Sequence, residues 1–354
     1  MSATAAVVLE GGMRFGKGGT AHSTSISNKV VIVYRHSFEL WTAPAWLSER
    51  MAQDFPQLNV VHLPEENLLT EEIADTDVLI AWSIEPEQFA GASKLKWIHS
   101  PAAGVNQLMR PDLISSDVVI TNARQVHAPL VAEHALTCML ALAKRVPQCV
   151  RCQAGKEWGQ QKLWAERPRP RQVAGATVLL IGMGSIGSEF TARAKALGMR
   201  VLAIREHPEK GTDGADAVYG PAQLDDLLPQ ADYVLLCTPV TPTTIGLMNR
   251  ARLARMKPSA YLINVGRGEL IDEAALLETL QNRRIGGAAV DVFTQEPLPA
   301  ESPFWSLDNL LITPHLAAAT ESIWERHYEL IFENMAHFLA GRPLLNEVDK
   351  QRGY

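Results

Sequence analysis

The stretch Val178-Leu179-Leu180-Ile181-Gly182-Met183-Gly184-Ser185-Ile186-Gly187 decides the fold. A short apolar run ends in G-x-G-x-x-G. Apolar residues then recur at helical spacing, at Ile186, Phe190, Ala194 and Leu197. Strand, glycine turn and helix, in that order, are the context in which the motif carries chemistry. Gly182 permits the tight turn, Gly184 lets backbone approach a pyrophosphate, and Gly187 lets the helix lie close to the strand. The free N–H groups and positive dipole end of the helix, opening at Ser185 and Ile186, then face the phosphates. A glycine-rich turn without a ligand is the plain alternative.

Working outward from this turn, five more apolar strands follow: Arg200 to Ile204, Tyr233 to Cys237, Ala260 to Asn264, Gly287 to Val292 and Leu310 to Thr313. Six strands with crossovers of this length match a doubly wound sheet. Toward the N-terminus a separate series alternates strands with helices: Lys29 to Tyr34, Asn59 to Leu63, Asp77 to Trp82, Trp97 to Ser100 and Val118 to Thr121, with a helix over Trp46 to Phe55. That alternation implies a second parallel sheet covered on both faces. Between the two series lies one long apolar helix, Pro129 to Arg145, ended by Pro147. An irregular surface linker over Trp158 to Gln172 follows it. The amphipathic helix Glu321 to Leu339 is expected to return to the first series. The expectation is therefore an α/β protein of two doubly wound parallel-sheet domains, one of them discontinuous. Residues 29–127 and 317–354 form the first domain, 128–316 the dinucleotide-binding domain, and 1–28 a mobile leader rich in Gly, Ser, Thr and Ala, with Met13 as a possible internal start.

Composition agrees with this. In 354 residues, 47% are hydrophobic and 20% charged, an ordinary globular balance that excludes a disordered chain or coiled coil. A net charge of −6 argues against a nucleic-acid partner. Uninterrupted apolar runs such as Cys138 to Ala143 fall far short of the ~20 residues that cross a bilayer, so no membrane role is expected. Four cysteines make no disulfide scaffold, which fits a reducing, cytoplasmic compartment.

The second strand of a dinucleotide unit usually ends in an acid that binds the ribose 2′-OH. Eighteen residues past Gly187 the chain has Arg205 there. A guanidinium attracts a 2′-phosphate, so NADP is the expected cofactor, with NAD the alternative if the adjacent Glu206 takes the acid's place.

Three polar residues sit where successive strands end: Arg267 after Ile263-Asn264-Val265-Gly266, Glu296 after Asp291-Val292-Phe293, and His315 after Ile312-Thr313-Pro314. The crevice at the carboxyl ends of the strands is where such sheets bind ligands. A guanidinium binds a carboxylate with two parallel bonds. Histidine exchanges a proton at neutral pH, and a neighbouring carboxylate favours its charged form. These types suit a 2-oxo or 2-hydroxy acid. Each also has a bland reading: Arg267 as a phosphate contact or surface charge, Glu296 as a solvated loop residue, His315 as structural.

The stretches 178–187, INVGRGELIDEAAL (263–276), AAVDVFTQEPLP (288–299), ITPHLAAAT (312–320) and VAEHAL (131–136) together resemble the D-isomer-specific 2-hydroxyacid dehydrogenase family, over about Lys29 to Val348. The resemblance implies a Rossmann-type cofactor domain inserted into a flavodoxin-like substrate domain. It implies that Arg267 holds the substrate, that Glu296 raises the proton affinity of His315, and that His315 gives or takes the proton. Asp291 would bond the nicotinamide carboxamide, Val265 would lie near its ribose, and Cys237, Thr238 and Pro239 would pass over the adenosine side. The loop holding Ala103, Gly104 and Val105 would offer its N–H groups to the substrate carboxylate. A homodimer contacting near Pro129 to Arg145 is also implied. The expected partner is a small 2-oxo or 2-hydroxy acid. The loop Ala81-Trp82-Ser83-Ile84 lacks an arginine, which disfavours a phosphorylated substrate, and Trp82 points to an apolar wall. A catalytically silent, dinucleotide-sensing binding protein on the same fold is the competing reading.

No metal is expected: the C-x-x-C of Cys149 and Cys152 has no second ligand pair. His134 is expected to be a hydrogen-bonded structural residue, His36 and His99 are placed where they can line a cleft, and Trp305 and Trp324 are expected in core or interface.

Overall fold

A computed structural model describes residues 28–353; the expected leader lies outside them except for Asn28. The first sheet contains β1 (Lys29–Val33), β2 (Asn59–His62), β3 (Val78–Ala81), β4 (Trp97–Ser100) and β5 (Val119–Asn122). All pair in parallel, in the order β2-β1-β3-β4-β5, the flavodoxin-like arrangement. The second sheet contains β6 (Thr177–Ile181), β7 (Arg200–Ile204), β8 (Ala217–Tyr219), β9 (Tyr233–Leu236), β10 (Tyr261–Asn264), β11 (Gly287–Val290) and β12 (Leu310–Ile312). Its order is β12-β11-β10-β9-β6-β7-β8, again parallel, and it reverses direction between β6 and β9. The inner strands β1 (KVVIV), β3 (VLIA), β6 (TVLLI) and β9 (YVLL) are nearly continuous apolar runs because helices cover both faces. One face of the second sheet packs through Leu179, Val234 and Leu262, the other through Val178, Leu180 and Ile263.

The second sheet has seven strands where six were expected. β8 is a three-residue edge strand, half-buried throughout, too short to leave a hydrophobic signature. The crossover helix is Arg124–Lys144, beginning five residues before the expected Pro129. Pro129 lies inside it but close to its start, where few intrahelical bonds are lost. Arg145, at φ +58°, ends that helix. Pro147 does not end it; it lies in the first turn of the next helix, Val146–Ala154, where proline is well suited. The expected linker also contains a short helix, Gln160–Ala165.

The crossover helix is 21 residues, long and apolar enough to cross a membrane by length and composition, contrary to the reading from uninterrupted runs. More than half of its most apolar stretch is buried inside the protein. Val126 and Leu130 pack into the first core, while Val131, Ala135, Met139 and Leu142 pack into the second. The helix Ile323–Leu339 returns through Ile323, Trp324, Tyr328 and Ile331 to the first core. The tail then pairs with β5: Val348 N–H donates to Ile120 O at 2.8 Å. Trp324 is buried, whereas Trp305 is half exposed and outside the core.

Candidate active site

The glycine turn sits at the reversal of strand order. Gly182 has φ +110°, and a Cβ there would lie 2.7 Å from Cys237 O, so the turn is pressed against the end of β9. A Cβ on Gly187 would lie 2.5 Å from Gly182 O. Gly184 differs: a Cβ there meets nothing within 4 Å. Gly184 also caps the helix Ser185–Ala196 without any side chain accepting from its first turn. Open space before unsatisfied helical N–H groups is what a phosphate needs. The residues therefore fit a dinucleotide. Cys237 Sγ donates to Gly182 O at 3.0 Å, which ties the two loops together, and burial pushes its thiol up to about 12. Thr238 and Pro239 continue along the same edge. Val265 is buried, and its N–H donates to Leu236 O at 3.2 Å.

Arg205 closes β7. Its guanidinium is mostly covered, donating to Asp213 Oδ2 at 3.0 Å and Gly211 O at 3.1 Å. It is thus held by its own following loop.

The turn carrying Arg267 is braced by fully buried Asn264, which accepts from Gly266 N–H at 3.0 Å and donates to Arg267 O at 2.8 Å. Asn264 lies outside the expected site residues, although an amide at a strand end two residues before glycine is a bracing signal. The Arg267 guanidinium reaches across to the first sheet's loops. Its Nη2 lies 2.9 Å from where Gly104 would carry a Cβ, so only glycine admits it without a shift. Gly268 allows a second close approach, with a Cβ position 2.1 Å from Phe293 backbone.

His315 Nδ1 and Glu296 Oε2 are 2.7 Å apart. Glu296 Oε1 accepts from Phe293 N–H at 2.9 Å, which fixes the carboxylate. Its burial works to raise the carboxyl's pKa; the bonds from His315 and Phe293, with the charges of His315 and Arg267, outweigh this and hold it below the ordinary value. His315 is half exposed and sits at φ +52°, a strained backbone for a histidine. The strain is over-determined by its surroundings: His315 N–H donates to Asp291 O at 2.8 Å, and Asp291 grips the next residues. Asp291, nearly buried, accepts from Thr313 Oγ1 (2.6 Å), Leu316 N–H (3.0 Å) and Ala317 N–H (3.1 Å). His134 Nε2 completes the chain at 3.0 Å from Thr313 Oγ1. Arg267 thus meets the Gly104 loop and lies near enough to the His315–Glu296 pair for its charge to lower the Glu296 carboxyl, and Asp291 supports the loop that presents His315.

His99 does not line a cleft: it is fully buried, and burial lowers it to about 3. Cys149 is exposed and Cys152 buried on one helix, both free. Among the described residues, no group of three or more His, Cys, Asp or Glu side chains gathers as metal ligands.

A model of the D-isomer specific 2-hydroxyacid dehydrogenase NAD binding domain matches residues 136–317. Glyoxylate reductase of Pyrococcus furiosus is 32% identical over 296 residues, covering 82% of this chain and 87% of that protein. D-3-phosphoglycerate dehydrogenase of Methanocaldococcus jannaschii is 32% identical over 290 residues, covering 81% of this chain, which spans 54% of that longer protein. Among solved structures, a D-isomer specific 2-hydroxyacid dehydrogenase from Xanthobacter autotrophicus Py2, in complex with NADPH and MES, superposes with a TM-score of 0.76 at 30% identity, covering 93% of this chain and 100% of that one.

Proposed function

The chain belongs to the D-isomer specific 2-hydroxyacid dehydrogenase family, and from that premise we propose that it reduces a 2-oxo acid to a D-2-hydroxy acid. The observation that carries this reading is the His315–Glu296 pair at 2.7 Å, with Arg267 near enough to lower the Glu296 carboxyl and itself set against Gly104. When bound, the dinucleotide supplies or receives the hydride.

Arg267 and the N–H groups of Ala103, Gly104 and Val105 bind the substrate carboxylate, which turns the 2-oxygen toward His315. With Nδ1 bound to Glu296, His315 has Nε2 left for the substrate oxygen. In reduction Nε2 gives its proton to that oxygen; in oxidation it takes the proton back. Glu296 keeps the ring oriented and stabilises the imidazolium before transfer. Gly182, Gly184, Ser185, Ile186 and Gly187 hold the phosphates, while Cys237, Thr238, Pro239, Val265 and Asp291 line the rest of the dinucleotide's path. Residues 29–127 with 317–354 serve as the substrate domain and 128–316 as the cofactor domain.

NADP is the preferred cofactor in this reading, with Arg205 turning from Asp213 to a 2′-phosphate of higher charge. The 40%-exposed Trp82, 6.4 Å from Tyr34 between ring centroids, supports a 2-oxo acid with an apolar group over a phosphorylated one. The exposed Val146, Val150, Trp158 and Trp164 beside the crossover helix support a homodimer.

The test follows NADPH and NADH oxidation by absorbance with a panel of 2-oxo acids: glyoxylate, hydroxypyruvate, 3-phosphohydroxypyruvate, and acids with branched or aromatic side chains. Turnover that drops about 100-fold or more in His315→Gln, with dinucleotide affinity kept, is expected. Tight dinucleotide binding without turnover of any acid would instead favour the sensor. A tenfold preference for NADH would remove the role of Arg205.

A further inference from the structure

We propose that His127 is a positioning residue for the substrate, holding down the head of the Pro101–Val105 loop so that its amides stay available beside Arg267. The kinetic consequence rests on the dehydrogenase reading; the geometry does not.

Three consecutive carbonyls of the loop are held by one short segment. His127 Nε2 donates to Pro101 O at 3.3 Å, Ala123 N–H to Ala102 O at 2.9 Å, and Asn122 Nδ2 to Ala103 O at 2.8 Å. In a trans peptide the N–H points opposite to its C=O. The N–H groups of Ala102, Ala103 and Gly104 therefore aim away from residues 122–127. Among the described residues they have no protein acceptor. Gly104 is also where the Arg267 guanidinium arrives. Free donors and a fixed cation on one stretch form a cradle for a carboxylate.

Of the three holds, that of His127 comes from within the crossover helix, which continues into the second core. It links loop position to the helix joining the two sheets. The chemistry of the ring suits the task. A carbonyl only accepts, so Nε2 carries the hydrogen, and the buried Nδ1 has no partner. Burial, against the Pro101 bond and helped by the charge of Arg267, lowers the imidazole to about 4. The residue thus offers one directed N–H at neutral pH and adds no positive charge near Arg267. Trp41 and His327 hold the ring edge-on, at centroid distances of 6.1 and 5.2 Å.

The test compares His127→Phe, which keeps a ring but loses the donor, with His127→Gln, which keeps a donor. KM for the best 2-oxo acid, kcat, dinucleotide affinity and hydrogen exchange at the Ala123 amide are measured on the full chain. Expected for Phe is a KM at least about tenfold higher, with kcat and dinucleotide affinity within about threefold. Exchange at Ala123 should be at least about tenfold faster, because its bond to Ala102 opens with the loop. Gln should restore most of both. A KM within about twofold with unchanged exchange overturns the proposal, as does an equal loss in both variants, the mark of a packing role. If the unaltered protein turns over no 2-oxo acid, the dehydrogenase reading fails while Ala123 exchange still decides the clamp.

Discussion

The His315–Glu296 pair joins two side chains at 2.7 Å in the candidate site. One carboxylate oxygen is fixed by Phe293 N–H, so the other meets His315 Nδ1 in a single orientation. The carboxyl's lowered pKa keeps it charged as the pH falls. Glu296→Gln removes the charge and keeps the shape. kcat/KM for 2-oxo acid reduction should then fall at least about tenfold, with dinucleotide affinity kept within about threefold. Steady-state kinetics and a dinucleotide titration check this; an unchanged kcat/KM would mean that Glu296 does not set the histidine for proton transfer.

At the scale of the element, the strand–turn–helix of β6 separates space needed by the fold from space left for a ligand. Gly182 combines φ +110° with an approach of 2.7 Å to Cys237 O, so an added methyl is both strained and blocked. Gly182→Ala should lower stability by about 1–3 kcal/mol. Gly184→Ala meets open space, so thermal stability should stay within about 0.5 kcal/mol while dinucleotide affinity falls at least about tenfold. Calorimetry and a fluorescence titration on the two variants check the pair. Equal affinity in Gly184→Ala would mean the phosphates lie elsewhere. The crossover helix shows how one element serves both sheets. Its Leu130 and Val131, adjacent in sequence, pack into different cores, and that division marks where the two halves of the molecule meet.

For the molecule as a whole, the first core buries three histidines that stay neutral. His99 is lowered to about 3 and His127 to about 4, chiefly by burial, and His327 well below its ordinary value. In the unfolded chain each takes up a proton below about pH 6.5. Between that pH and the native values the unfolded state binds more protons, so stability is complete above pH 6.5 and drains as pH falls. By pH 4 the loss is of order 3 kcal/mol for each of His99 and His127. Calorimetric Tm should therefore drop steeply from pH 6.5 to 4, and less steeply in His127→Phe. A slope identical in that variant would show that the buried ring does not drive the acid transition.

The sequence by itself determined both parallel sheets, the glycine turn at the end of β6, the returning C-terminal helix and the candidate trio at strand ends. Each is written in local periodicity, or in a short motif whose neighbours along the chain supply its context. It did not show β8, whose half-buried Ala217–Tyr219 has no apolar run, nor the early start of the crossover helix, masked by Pro129. Tertiary structure alone decided that Arg267 reaches Gly104, that residues 122–127 turn the loop's amides outward, and that His127 and His327 share one core. Partners such as Gly104 and Arg267 stand far apart along the chain. Their meeting depends on how two sheets dock, a choice made by the summed packing of many residues and recorded in no local stretch.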